Sequence, residues 1–259
     1  MFRAIGNSFS GLARRPLLFL PAALFAIIDY FLLAGQRYGL VAGMVEAILN
    51  KETLLNYVFR TLYANPAAFW TMILAFAITL FLEVWVLFGY SRAAYDLDKN
   101  VSSGLALKEA FGMFFEALKY FVFTLFAAIF FLLGLAFSAW VYFYVSYAGI
   151  ILALISFVLG VAALVGFFFT VPAMATRQLE LKRALKDSWA FAKRYFWEIV
   201  FLLAILAVIN EVILGFAQGW LSSQYPGYGD VVSGVIQAVK LAYSGLAIGL
   251  FYVERQKRK

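Results

Sequence analysis

The 259-residue sequence contains no cysteine and no histidine. A chain without thiols forms no disulfides and offers no thiol nucleophile or iron–sulfur ligand. A chain without imidazole lacks the commonest zinc ligand and the commonest general base. The two absences argue against thiol chemistry, the usual zinc sites, and the chemistry of intramembrane serine proteases and metalloproteases. We expect a protein that is not an enzyme and that has no cofactor.

Charged residues are also scarce, at 14% of the chain against about 25% in soluble proteins. Apolar residues make up 65% against roughly 45–50% in soluble proteins. A soluble fold of this composition would expose more apolar surface than such folds tolerate. The composition excludes a soluble enzyme, a disordered regulator and a nucleic-acid-binding module, and it predicts an all-α polytopic membrane protein.

Several stretches are long and apolar enough to cross a bilayer, which takes about 20 mostly apolar residues. The six candidate spans are Pro16–Gly35, Pro66–Tyr90, Tyr120–Val145, Gly149–Thr170, Phe196–Phe216 and Val231–Val253. The first contains Asp29, and no cleavage site follows it, which favours a retained span over a signal peptide. The sequence predicts one integral membrane domain over residues 1–259, with six transmembrane helices arranged as three hairpins.

The basic residues are distributed unevenly between the two ends of these spans. Of the 21 Lys and Arg residues, 17 fall at one end and 3 at the other, while Lys240 lies inside a span. Such a bias marks the cytoplasmic side. We therefore expect a multi-pass protein of the cell membrane with both termini in the cytoplasm. The net charge of +7 then predicts contact with anionic lipid headgroups, not with nucleic acid.

The stretches that precede the odd-numbered spans resemble one another. Leu105–Phe111 aligns with Leu179–Leu185, and Ala4–Phe9 aligns in the same register with Ala184–Trp189. We interpret each as a cytoplasmic amphipathic helix followed by two spans, in copies covering about residues 1–90, 101–175 and 178–253. Copies that begin on the same side are parallel repeats about a pseudo-threefold axis along the membrane normal. The residues expected at equivalent positions include Ala4, Ala110 and Ala184.

Two short sequences connect this layout with a known class. Val171-Pro-Ala173 ends the fourth span, and Ala184-Leu-Lys-Asp-Ser188 follows it. With these residues, the chain resembles a broad prokaryotic class of six-span proteins related to the membrane domain of glycerophosphoryl diester phosphodiesterases. The resemblance implies the six-span layout. It implies no phosphodiesterase activity, because no soluble phosphodiesterase domain is found in this sequence.

Ionisable residues within a span are costly and need a partner or a purpose. At 1.5 Å per residue, Asp29 and Glu211 lie about 18 and 21 Å from the inner edge of the hydrocarbon, and Lys240 lies about 16 Å from its outer edge. We expect these side chains to form an intramembrane polar site together with Asn210 and Gln237. The alternative is a buried ion pair that only fixes the order of the helices. A second candidate, nearer the cytoplasm, is Glu83.

Two other motifs are predicted to be structural. Gly245 and Gly249 form a GxxxG pattern, which indicates close helix packing. Gly227-Tyr-Gly-Asp230 matches the GxGD sequence of intramembrane aspartyl proteases, with Tyr95-Asp96 as the possible second element. The predicted topology places the two aspartates at opposite membrane surfaces, which favours a turn and helix cap at Asp230.

Two functions remain open from the sequence. The polar layer and the repeat favour a small transporter or permease-like protein for a small or lipid-like solute. The basic amphipathic helices favour a scaffold or accessory subunit that docks a partner protein or anionic lipid, or that forms a homo-oligomer. A water-accessible cavity that reaches Asp29, Glu211 and Lys240 would support the first function, and a dry ion pair would support the second.

Overall fold

The computed structural model describes residues 2–28, 63–98, 108, 112–225 and 228–257. Within these ranges the regular secondary structure is helical, without strands. The α-helices are α1 (Phe2–Arg14), α2 (Leu20–Ile28), α3 (Pro66–Asp98), α4 (Phe114–Tyr144), α5 (Ser146–Phe167), α6 (Thr170–Arg177), α7 (Leu181–Ala207), α8 (Leu214–Gln224) and α9 (Gly229–Gln256). A 3-10 turn at Pro16–Phe19 precedes α2, and a π-helical segment at Val208–Ile213 joins α7 to α8.

Five helical stretches of the described chain are long and apolar enough to cross a membrane. They are Ile73–Leu97, Phe114–Phe131, Ser146–Arg177, Leu181–Gln224 and Val231–Gln256. A sixth is obtained only if Phe2–Arg14 and Pro16–Ile28, which meet at an angle of 106°, are counted as one broken span. The prediction of an all-helical chain is thus confirmed for the described residues, and the long apolar helices are compatible with a multi-pass membrane protein. The end of the predicted first span, residues 29–35, lies outside the described residues.

Helix α9 lies at the centre of the fold, where it packs against α1, α2, α3 and α8. The two glycines of the GxxxG pattern form the contact with α3. A Cβ atom on Gly245 would lie 2.9 Å from Cβ of Tyr90, and one on Gly249 would lie 2.7 Å from Cβ of Ala94. Larger residues would push the helices apart, so the packing interpretation of this motif is confirmed.

The helix boundaries follow the predicted spans closely but run past them at one end. Helix α3 continues to Asp98, and the fourth span is interrupted at Phe168 and Phe169 before α6 begins. Pro172 lies in the first turn of α6, where a missing backbone N–H breaks no helical hydrogen bond. The interruption therefore precedes Pro172. The proline lies in the first turn of the next helix, α6, and does not itself break a helix.

Helices α1 and α7 bury their residues in the same register. The buried positions of α1 are Ala4, Ser8, Gly11 and Leu12, and those of the first half of α7 are Ala184, Ser188, Phe191 and Ala192. Each position of the second set is 180 residues after its counterpart in the first, as the alignment of Ala4 with Ala184 requires. Ala110 of the second copy lies outside the described residues.

The helical geometry also breaks at two positions that are equivalent in the sequence alignment. Arg15, just after α1, has φ −134° and ψ 75°. Tyr195, within α7, has φ −118° and ψ 25° and marks a kink. These two residues are again 180 positions apart. In α7 the kink is followed directly by the apolar part of the helix, so the charged and apolar parts form one continuous element.

We use the term basic end for the end of the molecule formed by α1, α6, the first half of α7 and the C-terminal residues of α3 and α9. Contacts between α3 and α6, between α6 and α7 and between α1 and α9 hold this end together. Arg255 contributes to it by an ion pair with Glu198 and by lying over the rings of Tyr195 and Phe251. The kink in α7 is thereby packed against the last turn of α9.

Candidate functional site

Polar side chains join α9 to the π-helical segment and α8 along a line that we call the polar seam. Its three contacts are Asn210 Nδ2 donating to Ser244 Oγ at 2.8 Å, Lys240 Nζ 3.6 Å from Glu211 Oε1, and Gln218 Nε2 donating to Ser233 Oγ at 2.7 Å. The pairs follow one another in antiparallel order, as expected for a hairpin of two spans. The seam brings together three of the residues predicted for the polar site.

Asn210 and Glu211 both lie in the π-helical segment Val208–Ile213. A π turn contains one residue more than an α turn and is frequently found at functional sites. The extra residue changes the helical register, so two consecutive residues both reach partners on α9. Helix propensities do not predict this π turn. The only hint in the sequence is the adjacent polar pair within an apolar helix.

The members of the seam differ in how well they are enclosed. The side chain of Lys240 is 17% exposed, whereas that of Glu211 is 77% exposed. Their separation of 3.6 Å is an ion-pair distance but is too long for a hydrogen bond. Oδ1 of Asn210 is buried and has no hydrogen-bond partner among the described residues. The seam therefore holds a loosely paired carboxylate and an amide oxygen that is free to accept.

Two other predicted site residues, Gln237 and Glu83, are not part of the seam. Gln237 is exposed, and Glu83 is half-buried on α3. Asp29 lies outside the described residues. The aspartates of the protease-like motif are far apart. Asp96 lies in the last turn of α3, just after Ala94, which packs on Gly249 of α9, whereas Asp230 lies in the first turn of α9, about 28 Å along the helix from Gly249.

A second polar cluster lies at the basic end, around Asp187. Its Oδ1 pairs with Nη1 of Arg177 at 2.8 Å, and its Oδ2 accepts a hydrogen bond of 2.6 Å from the hydroxyl of Tyr252. Nε2 of Gln256 lies 3.4 Å from the same oxygen. One carboxylate thus connects α6, α7 and α9, and each of its oxygens is engaged.

The next residue, Ser188, fixes α7 to the end of α5. Its hydroxyl donates to the carbonyl of Gly166 at 2.7 Å and accepts from the N–H of Phe169 at 3.1 Å. These bonds satisfy a carbonyl and an N–H that the break between α5 and α6 would leave unpaired. Asp187 and Ser188, the last two residues of the Ala184–Ser188 sequence, therefore hold α7 against α5, α6 and α9. The sequence alone did not indicate this structural role.

A cavity of about 600 Å³ lies between α3, α4 and α5, with α9 at its back. Its volume is typical of small-molecule sites. Nearly all of its wall is apolar, and the polar exceptions are Ser91, Tyr120 and Thr124. Tyr120 donates to the carbonyl of Phe167, and Thr124 donates to that of Tyr120, so both hydroxyl protons are used. None of the seam residues Asn210, Glu211 and Lys240 lines this cavity.

The cavity is about half as long as the hydrocarbon core of a bilayer is thick. Its wall on α4 runs from Tyr120 to Phe131, a rise of about 16 Å, whereas the hydrocarbon core is about 30 Å thick. Its shallow end lies near Ser91 and Pro172, at the basic end. At its deep end Phe131 packs directly on Gly160. The cavity could not be predicted from the sequence, because a space between small apolar residues produces no periodic pattern in the sequence.

No group of His, Cys, Asp or Glu residues in the described part of the chain could hold a metal ion. The cavity has the volume and the apolar wall that suit an apolar chain, and the seam offers a free hydrogen-bond acceptor in Asn210 Oδ1. No protein-family model, curated protein or solved structure matches this chain.

Proposed function

We propose that this protein is a permease-like membrane protein that takes a lipid-like amphiphile from one leaflet into the cavity between α3, α4 and α5. The observation that carries the proposal is the cavity of about 600 Å³ with its almost wholly apolar wall. A polar solute would find few groups to replace its water, since Tyr120 and Thr124 already donate to backbone carbonyls. An acyl chain requires no such groups.

The depth of the cavity supports the same class of solute. A length of about 16 Å along α4 is close to the thickness of one leaflet of the hydrocarbon core. A chain that enters sideways from that leaflet keeps its depth, so its headgroup stays at the level of Ser91 and Tyr120. The solute is therefore lipid-like and belongs to the leaflet at the basic end.

The proposal includes the full topology expected from the sequence. The protein spans the cell membrane six times, as three parallel hairpins about a pseudo-threefold axis, with both termini and the basic end in the cytoplasm. The matching burial registers of α1 and α7 support the repeat, and so do the helix breaks at Arg15 and Tyr195. The basic surface helices then contact anionic headgroups of the bilayer.

The polar seam has a secondary role in this proposal. It orders the last hairpin, and its Glu211–Lys240 pair, with the open acceptor of Asn210, is the site at which a proton is handled during transport. Its loose pairing at 3.6 Å supports this role better than that of a rigid ion pair.

A second candidate function is that of a scaffold that docks a partner protein or a second copy. The observation that favours it is the 77% exposure of the Glu211 side chain. A carboxylate within a span is costly when it faces lipid. A partner helix with a donor at that depth would remove the cost.

The test uses two neighbouring alanines of α5, of which only Ala163 lines the cavity while Ala162 is exposed. Protein in phosphatidylcholine vesicles is labelled with a phosphatidylcholine that carries a photoactivatable diazirine in its chain. Overpacking costs about 1–3 kcal/mol, so Ala163→Phe should lower specific labelling by about tenfold. Ala162→Phe, the matched control, should leave it unchanged.

The same variants test transport. A fluorescent lipid that moves between leaflets becomes accessible to a membrane-impermeant quencher, and the rate should fall in Ala163→Phe alone. Equal labelling of wild type and both variants would overturn the cavity proposal. Labelling without movement of lipid in the wild type would favour the scaffold function.

A further inference from the structure

We propose that a stripe of lysines on α7 binds the phosphate head of an anionic lipid whose chain lies in the cavity. We call Lys182, Lys186 and Lys193, with Trp189 among them, the lysine stripe. The inference rests on the proposed function, because it names the headgroup of the amphiphile that the cavity takes up. The occupant is a phosphate monoester headgroup from the leaflet at the basic end.

The stripe is defined by helical geometry. Its members follow one another at intervals of four, three and four residues, which places them on one face of α7. All four are exposed. Nζ of Lys193 lies 5.7 Å from the centre of the Trp189 ring. Trp189 thus lies along the helix between Lys186 and Lys193. It stands at the level of the membrane interface, where tryptophan is enriched.

Trp189 connects the stripe to the cavity. Its ring lies 5.8 Å from that of Phe167, which lines the cavity, and it packs directly over Gly166. The bonds of Ser188 to Gly166 and Phe169 hold α7 in this position. The lysine stripe is therefore one side chain away from the cavity wall, and its position relative to that wall is fixed.

The charge of the stripe is not neutralised within the described part of the chain. No described carboxylate forms an ion pair with Lys182, Lys186 or Lys193. The nearest acid in sequence, Asp187, is engaged by Arg177 and Tyr252 on another face. Three ammonium groups beside a tryptophan and next to an apolar cavity complement a phosphate joined to an acyl chain.

The experiment measures headgroup preference. Phosphatidylcholine vesicles receive either a photoactivatable phosphatidic acid or a photoactivatable phosphatidylcholine with the same chain. The wild-type protein should be labelled preferentially by the phosphatidic acid. Lys186→Gln together with Lys193→Gln should reduce this preference roughly tenfold, since each basic residue near a membrane surface contributes to anionic lipid binding.

The matched control removes the same charge from the same helix on another face. Arg183→Gln with Arg194→Gln should change the preference by less than about twofold, because screened surface charges act weakly at a distance. Both double variants should elute as the wild type in size-exclusion chromatography, since all four side chains are exposed.

Each result distinguishes this inference from the proposed function. Equal loss of preference in the two double variants would overturn the lysine stripe, since overall charge would then explain binding. Labelling of the wild type without headgroup preference would overturn the stripe but leave the cavity. Absence of labelling by both probes would overturn the cavity itself, and the stripe with it.

Discussion

Two carboxylates of this protein each form an ion pair, but their surroundings differ. Asp187 at the basic end receives three donors from two helices, at 2.6 to 3.4 Å. Glu211 in the polar seam has one cation, 3.6 Å away, and most of its side chain is exposed. A carboxylate with both oxygens engaged fixes a structure, whereas a loosely paired one can change partner or protonation state. The comparison separates a structural cluster from a candidate for function.

The largest expected effect is at the structural cluster. Asp187→Ala leaves Arg177 and the hydroxyl of Tyr252 without their acceptor, and should lower the free energy of unfolding by about 3 kcal/mol. Denaturation in mixed detergent micelles, followed by far-ultraviolet circular dichroism, measures the change. Lys186→Ala, at the exposed neighbour, should cost less than about 0.5 kcal/mol. Similar losses in both variants would contradict the assigned role of Asp187.

An intermediate effect is expected in the polar seam. Lys240→Met alone leaves Glu211 in the membrane without its cation, and should cost roughly 2–3 kcal/mol in the same unfolding measurement. Lys240→Met with Glu211→Gln should cost less than about 1 kcal/mol, because both charges are gone.

This pair of variants also sharpens the comparison. If the seam takes part in transport, the double variant folds but moves the fluorescent lipid more slowly. A double variant with the wild-type rate would make the seam purely structural. A double variant less stable than the single one would show that the two side chains do not form a pair.

The smallest effect is expected for Ser244→Ala, which removes the acceptor of the Asn210 amide. Hydrogen bonds between membrane helices contribute about 0.6 kcal/mol on average, so the free energy of unfolding should fall by that amount. Gln237→Ala on the same helix is the control, since Gln237 is exposed and should be neutral. A cost above about 2 kcal/mol at Ser244 would place the seam among the structural clusters.

The helices themselves could be predicted from the sequence, because each long apolar run needs a helix to satisfy its backbone in lipid. The pairing of Glu211 with Lys240 could be anticipated from depth along two spans. Gln237 was expected on the same inward face but is exposed. The register of the seam contacts places it opposite Leu214, which offers no hydrogen bond.

Other features depend on tertiary structure and gave no sequence signal. The partners of Asp187 are 10 and 65 residues away, so its cluster is formed only by folding. The cavity depends on the spacing of α3, α4 and α5 around small side chains such as Ala127 and Ala163. The π turn adds one residue to a helix without changing its composition. The resemblance to the phosphodiesterase-related class depended partly on the Asp187-Ser188 pair, but it did not indicate what the pair does in the fold.

The continuous helical stretch from Leu181 to Gln224 has a consequence for hydrophobic matching. Its 44 residues measure about 66 Å, about twice the hydrocarbon thickness. Tilting alone absorbs only part of such an excess. The kink at Tyr195 divides the helix into 14 residues before it and 29 after it. The longer part, about 44 Å, is sufficient to cross the bilayer. The shorter part is surplus to the span, and under the proposed topology we expect it to lie at the water interface with its lysines towards the headgroups.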